Sequence, residues 1–223
     1  MSFKLSISTI LVIFLAINFS LCVEEEKEEE EIEELYGSGK IVGGSLITID
    51  SVPYFASILY KNKHLCGASI ISDQWILSAS HCYVDGVPLN YKIRTGSSRK
   101  SQTGKVRKVE KLIRHPLYSE STLNYDFMLI KLAQKIKFNK LQKAIPLAAA
   151  NKVISEGIDV RTCGFGLTKN PRESDEFLRV VVVQTSNQQF CSKAYDDFIN
   201  EKNMLCAGST DGKDSCQVRN LLN

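Results

Sequence analysis

Short apolar runs broken by turn residues recur along most of this chain. Tyr54–Tyr60, Ala68–Ile71, Trp75–Leu77, Phe127–Leu132 and Arg179–Gln184 are rich in β-branched and aromatic residues and read as strands. Turn residues punctuate them at Gly43-Gly44, Asp85-Gly86, Gly96-Ser97-Ser98, Asn170-Pro171 and Asp211-Gly212. Long amphipathic helical repeats are absent, and Gln189–Phe198 reads as one short helix. Repeated short strands with turn signals predict an all-β barrel or sandwich. Periodicity alone goes no further.

The first forty residues break that pattern. Residues 1–22 carry one charged side chain, Lys4, ahead of an apolar stretch from Ile10 to Ile17, with Ser20 and Cys22 as small residues near a cleavage point. The stretch is short for a bilayer span and an acidic run follows it, so it reads as a secretory signal peptide. The protein is expected to be secreted, with no membrane attachment after cleavage. From Val23 to Lys40 nine Glu face two Lys, a net charge of −7. Such a segment repels itself, buries nothing and is expected to be solvated.

Composition changes the picture once it is divided along the chain. The 223 residues carry a formal charge of +3, with 43% hydrophobic and 24% charged residues. Those values exclude a collagen-like, disordered or multi-span membrane chain. The small total hides a segregation, because residues 41–223 hold 25 Lys+Arg against 16 Asp+Glu, a net +9. The densest basic cluster, Lys105, Arg107, Lys108 and Lys111, has no stacking aromatics or helix-turn-helix pattern beside it. It reads as a solvated face, and no nucleic-acid partner is expected.

Seven cysteines in a secreted chain imply disulfides. Cys22 leaves with the signal peptide. Parity then allows Cys66, Cys82, Cys163, Cys191, Cys206 and Cys216 to form three bridges in any of 15 connectivities.

Four motifs follow one another along the body. Lys40 meets Ile41-Val42-Gly43-Gly44. Trp75-Ile76-Leu77-Ser78-Ala79-Ser80-His81-Cys82 sets a histidine beside a cysteine at a strand end. Asp126, 45 residues after His81, opens Asp126-Phe127-Met128-Leu129-Ile130-Lys131-Leu132. Asp211-Gly212-Lys213-Asp214-Ser215-Cys216-Gln217 lies near the end. In this order and spacing the chain closely resembles the chymotrypsin-like, and in particular trypsin-like, serine peptidases from Ile41 to Gln217.

The resemblance implies two Greek-key antiparallel β-barrels, the first running roughly from Ile41 to Leu147. It also implies roles for particular residues. A serine hydroxyl is a weak nucleophile and needs a base within hydrogen-bond reach. His81 matches that base, and Asp126 the carboxylate that fixes its tautomer and stabilises its protonated form. His64 and His115 match no catalytic motif and read as surface or loop residues. Lys40–Ile41 matches the activation cleavage point, cut by a trypsin-like protease. Asp214 matches the base of a pocket that selects Lys or Arg, so protein or peptide substrates carrying them are the implied partners. Cys66–Cys82 and Cys191–Cys206 match family bridges, which leaves Cys163 and Cys216 without evident partners; a makeshift bond between those two remains open.

Departures from the family pattern bear on activity. Thr95–Val109 holds no carboxylate where calcium-binding relatives place acidic ligands, so no metal and no cofactor is expected. Cys163-Gly164-Phe165-Gly166 has Phe where the family has Trp, and Ser78-Ala79-Ser80 replaces Thr-Ala-Ala. After Gln217 the family continues Gly-Asp-Ser-Gly-Gly, but this chain reads Val218-Arg219-Asn220-Leu221-Leu222-Asn223. Gln-Val-Arg can be encoded with a splice-donor sequence, so this tail is expected to be translated intron. The expected organisation is a signal peptide (1–22), an acidic pro-segment (23–40), a C-terminally truncated peptidase domain with its second barrel incomplete (41–217), and a non-family tail (218–223). A precursor of a Lys/Arg-specific endopeptidase, inactive as written, is the leading expectation. The alternative is a non-catalytic homologue acting as a binding or decoy protein.

Overall fold

A computed structural model describes residues 40–42, 44–149, 152–166, 172–195, 198–200, 203–208 and 214–216, with the backbone alone for 40–42 and 214–216. The signal peptide, most of the acidic segment, the tail 218–223, and the turns at Asn170-Pro171 and Asp211-Gly212 lie outside the described residues.

Six strands close a barrel. They are β3 (Phe55–Tyr60), β4 (Lys63–Ile70), β5 (Trp75–Ser78), β6 (Tyr91–Thr95), β7 (Lys105–Arg114) and β8 (Met128–Leu132). Around the barrel the order is β3-β4-β5-β8-β7-β6, and the pairings are antiparallel. Alternation builds the core. Tyr91, Ile93 and Thr95 of β6 point inward, as do Met128, Ile130 and Leu132 of β8, while Lys92, Arg94, Leu129 and Lys131 point out. Ile58, Ile70 and Ile76 complete this interior with no exposed surface. The β3–β4 hairpin turns through Lys61 and Asn62, both left-handed at φ 47° and 71°, as a two-residue turn matching strand twist requires.

The remaining strands form two further sheets. β10 (Arg179–Thr185) pairs antiparallel with β9 (Asp159–Gly164), β11 (Ala207–Gly208) and β2 (Ser45–Leu46). β1 (Lys40–Val42) pairs with β12 (Asp214–Cys216). The closed barrel therefore spans Phe55–Leu132, and Ser45–Leu46 joins β10 instead of the first barrel expected to begin at Ile41. Ile49, Val52, Phe55, Phe165 and Leu178 form one buried cluster that packs the β3 end of the barrel against the β9 and β10 region. Phe55 and Phe165 meet edge to face at 5.4 Å within it, so a phenyl ring fills the place read as a Trp-to-Phe departure. Among the described residues the α-helix is α1 (Gln188–Ala194), capped by Asn187, whose side chain accepts the Phe190 N–H.

Candidate active site

His81 owes its position to buried neighbours on both sides. β5 ends at Ser78, and the chain enters a single 3-10 turn over Ser80–Cys82. Ser80 is fully buried and its hydroxyl donates to the Phe127 carbonyl at 2.5 Å. Cys82 is buried as well and bonded to Cys66 on β4, with Cα atoms 6.3 Å apart. Two anchored neighbours turn the intervening side chain outward.

That side chain meets Asp126. The aspartate lies just ahead of β8, in the loop, where the sequence pattern expected it to open the strand. Its Oδ1 accepts the His81 backbone N–H at 2.8 Å, and its Oδ2 lies 2.6 Å from His81 Nδ1. Both side chains keep about a quarter of their surface exposed, at 25% and 23%. Burial by itself would raise the Asp126 carboxyl, but hydrogen bonding to the His81 ring, attraction to that ring, and the His81 and Ser80 backbone N–H groups outweigh it. The carboxyl is held below the usual carboxylate range. An ionised carboxylate only accepts, so Nδ1 carries a proton, and in the neutral form of the ring Nε2 keeps the lone pair. This arrangement can take a proton at Nε2 and stabilise the resulting imidazolium.

The other sequence-derived residues fall elsewhere. Backbone pairing sets Lys40 opposite Cys216, Ile41 opposite Ser215, and Val42 opposite Asp214. The candidate cleavage bond and the candidate pocket aspartate thus share one two-stranded ladder, and the Asp214 side chain lies outside the described residues. Cys191 of α1 is bridged to Cys206. Cys163 is a free thiol on β9, which burial pushes up to about 11 against the opposing effects of Tyr54 and Arg161. Cys66, His81 and Cys82 bring ligand-type atoms within 4.8 Å of one another, but both sulfurs are spent in the disulfide and neither is a thiolate donor.

His64 differs from its reading as a surface or loop residue. It lies half-buried on β4, its Nδ1 2.6 Å from Ser57 Oγ and its ring edge-on to Phe165 at 5.5 Å. Burial, aided by Lys100 and Arg94, pushes it down to about 4, so it is neutral near pH 7. Ser57 is 1% exposed and inaccessible to a substrate, so this serine–histidine pair is not a candidate nucleophilic site. Only the tertiary pairing of β3 with β4 brings the two residues together.

The barrel and the histidine–aspartate pair define a serine-peptidase architecture, and comparison with known proteins agrees. The chain matches the family described as Trypsin over residues 41–218. It is 38% identical over 187 residues to Trypsin 5G1 of Aedes aegypti, covering 82% of this chain and 70% of that protein. A trypsin of Simulium vittatum is 37% identical over 188 residues, covering 81% and 75%. Among solved structures, neuropsin, a serine protease expressed in the limbic system of mouse brain, aligns with a TM-score of 0.69 at 30% identity, covering 79% of this chain and 78% of that one. The chain belongs to the trypsin family of serine proteases.

Proposed function

We propose that this chain is a secreted precursor in the trypsin-like endopeptidase lineage, with His81 as general base and Asp126 as its orienting carboxylate. The observation that carries this reading is the double contact from His81 to Asp126, at 2.8 Å through the backbone and 2.6 Å through the ring. In acyl transfer, Nε2 of His81 would take the proton of a serine hydroxyl as it attacks a peptide carbonyl, then deliver it to the leaving amine. Asp126 would stabilise the imidazolium in between. Cleavage of Lys40–Ile41 by a trypsin-like protease would release the acidic segment. Asp214 would select Lys or Arg by charge, since another side chain would leave its carboxylate unpaired.

The nucleophile is the missing part of this proposal. At the position of the family's Gly-Asp-Ser stand Val218, Arg219 and Asn220, none of which carries a hydroxyl. Removing one member of such a triad costs several orders of magnitude in rate, so the chain as written is proposed to be inactive. The same substitution favours a second reading, a non-catalytic family member that binds substrates or inhibitors. Against it, His81 and Asp126 keep the geometry of a working pair.

One experiment tests both the proposed roles and the proposed inactivity. The purified chain, before and after cleavage at Lys40–Ile41, is assayed against Lys and Arg peptidyl esters and with a serine-directed phosphonate. Neither hydrolysis nor labelling is expected. Turnover that survives His81→Ala would overturn the proposed roles, and turnover lost in that variant would overturn the proposed inactivity.

A further inference from the structure

Asp126 sits in a strained stretch of backbone. Leu123 and Tyr125 in the β7–β8 connection both take left-handed conformations, at φ 53° and 55°. For bulky side chains that region is costly and persists only where the surroundings enforce it. Tyr125 immediately precedes the candidate orienting aspartate, so whatever enforces its conformation also fixes where the carboxylate points.

Tyr125 is contacted by His115, just beyond the end of β7. Its imidazole stacks flat on the Tyr125 ring, with centroids 4.7 Å apart and planes within 5°. Its backbone N–H donates to the Phe127 carbonyl at 2.9 Å. One residue therefore grips the chain on both sides of Asp126. The orientation of the ring is fixed in turn, because Nδ1 accepts the Leu117 N–H at 3.2 Å. The neighbouring Arg114 guanidinium lies over Tyr83 at 5.0 Å and over Tyr118 at 4.8 Å, tying this connection to the turn that carries His81.

We infer that His115 is a positioning residue for the His81–Asp126 pair, acting through Tyr125. The imidazole face holds Tyr125 in its left-handed conformation, and Asp126 is thereby aimed at both donors of His81. This inference rests on the proposed catalytic reading of the pair. His115 itself touches neither His81 nor Asp126 by any contact described above.

The test reads the hydrogen bond directly, by proton NMR of the full chain. The proton between His81 Nδ1 and Asp126 is expected as a resonance far downfield of the amides, absent in Asp126→Asn. Absence of that resonance in the unsubstituted chain would overturn the reading of the pair, and with it the inference about His115. Given the resonance, His115→Ala and His115→Leu are expected to lose it while retaining their circular dichroism and both disulfides. His115→Phe, which restores a flat ring, is expected to recover it. Persistence of an unchanged resonance in His115→Leu would overturn the inference. So would unfolding of both ringless variants, which would make His115 a structural residue only.

Discussion

The Asp126 carboxylate receives two hydrogen bonds from the single residue His81, one from the backbone N–H at 2.8 Å and one at ring Nδ1 at 2.6 Å. The first holds the loop to the turn, and the second holds the ring to the loop. Losing the carboxylate charge would loosen both.

This has a consequence for acid stability. Folding favours the ionised form of Asp126, because its pKa is lowered in the folded chain. The stabilisation is therefore fully present above the ordinary carboxylate value of about 3.9 and is lost as pH falls through the lower folded value. Asp126→Asn should be less stable than the parent by about 1–3 kcal/mol at neutral pH. The difference should shrink below about pH 4, as denaturant titrations across that range would show.

The Cys66–Cys82 bridge closes a sequence separation of 16 residues and fixes the turn holding His81. Replacing both cysteines by Ala should lower stability by about 3 kcal/mol, the loop-entropy value for a ring of this size. Thermal unfolding measures the loss. The His81 ring resonances should broaden in the same variant.

Thr95, the last residue of β6, joins a polar network with Gln142 and Arg107. Thr95 Oγ1 donates to Gln142 Oε1 at 2.6 Å and accepts from Arg107 Nη1. Thr95 is 1% exposed and Gln142 3%. Thr95→Val keeps the shape but takes the Thr95 donor from the buried Gln142 Oε1, so it should cost about 1–3 kcal/mol. A Thr95→Val chain as stable as the parent in urea would contradict this account.

The Lys40–Ile41 bond lies in the ladder with Cys216 and Ser215, and a protease needs that backbone free. Cleavage should then be limited by local opening of the ladder. Ser215→Pro is disfavoured within a ladder. A ladder weakened by about 1 kcal/mol should be cut roughly fivefold faster. Timed digestion with trypsin, followed by sequencing of the new Ile41 terminus, measures the rate.

Where chemistry is local, the sequence alone was a good guide. His81 and Cys82 are adjacent, and the short runs at Phe55–Tyr60 and Trp75–Ser78 lie within a residue of their expected ends. Charge-rich strands were harder to read. Lys63 and His64 belong to β4 because they pair with Tyr60 and Leu59, and no periodicity in that segment announces it. β7 was hidden in a lysine-rich stretch whose charges point outward, with Val109 its one buried residue. Asp126 was legible as a residue but not as a loop position, since the strand proper begins at Met128. The stacking of His115 on Tyr125 joins residues ten positions apart across a connection whose path the sequence does not encode locally.

The most direct test of the central claim offers the His81–Asp126 pair a serine nucleophile. Residues 218–223 are replaced by the C-terminal segment of a family member, beginning Gly-Asp-Ser-Gly-Gly, and Lys40–Ile41 is cut. The account predicts hydrolysis of Lys and Arg esters that falls by several orders of magnitude in His81→Ala and in Asp126→Asn. A folded chimera whose hydrolysis is unchanged by His81→Ala would contradict it.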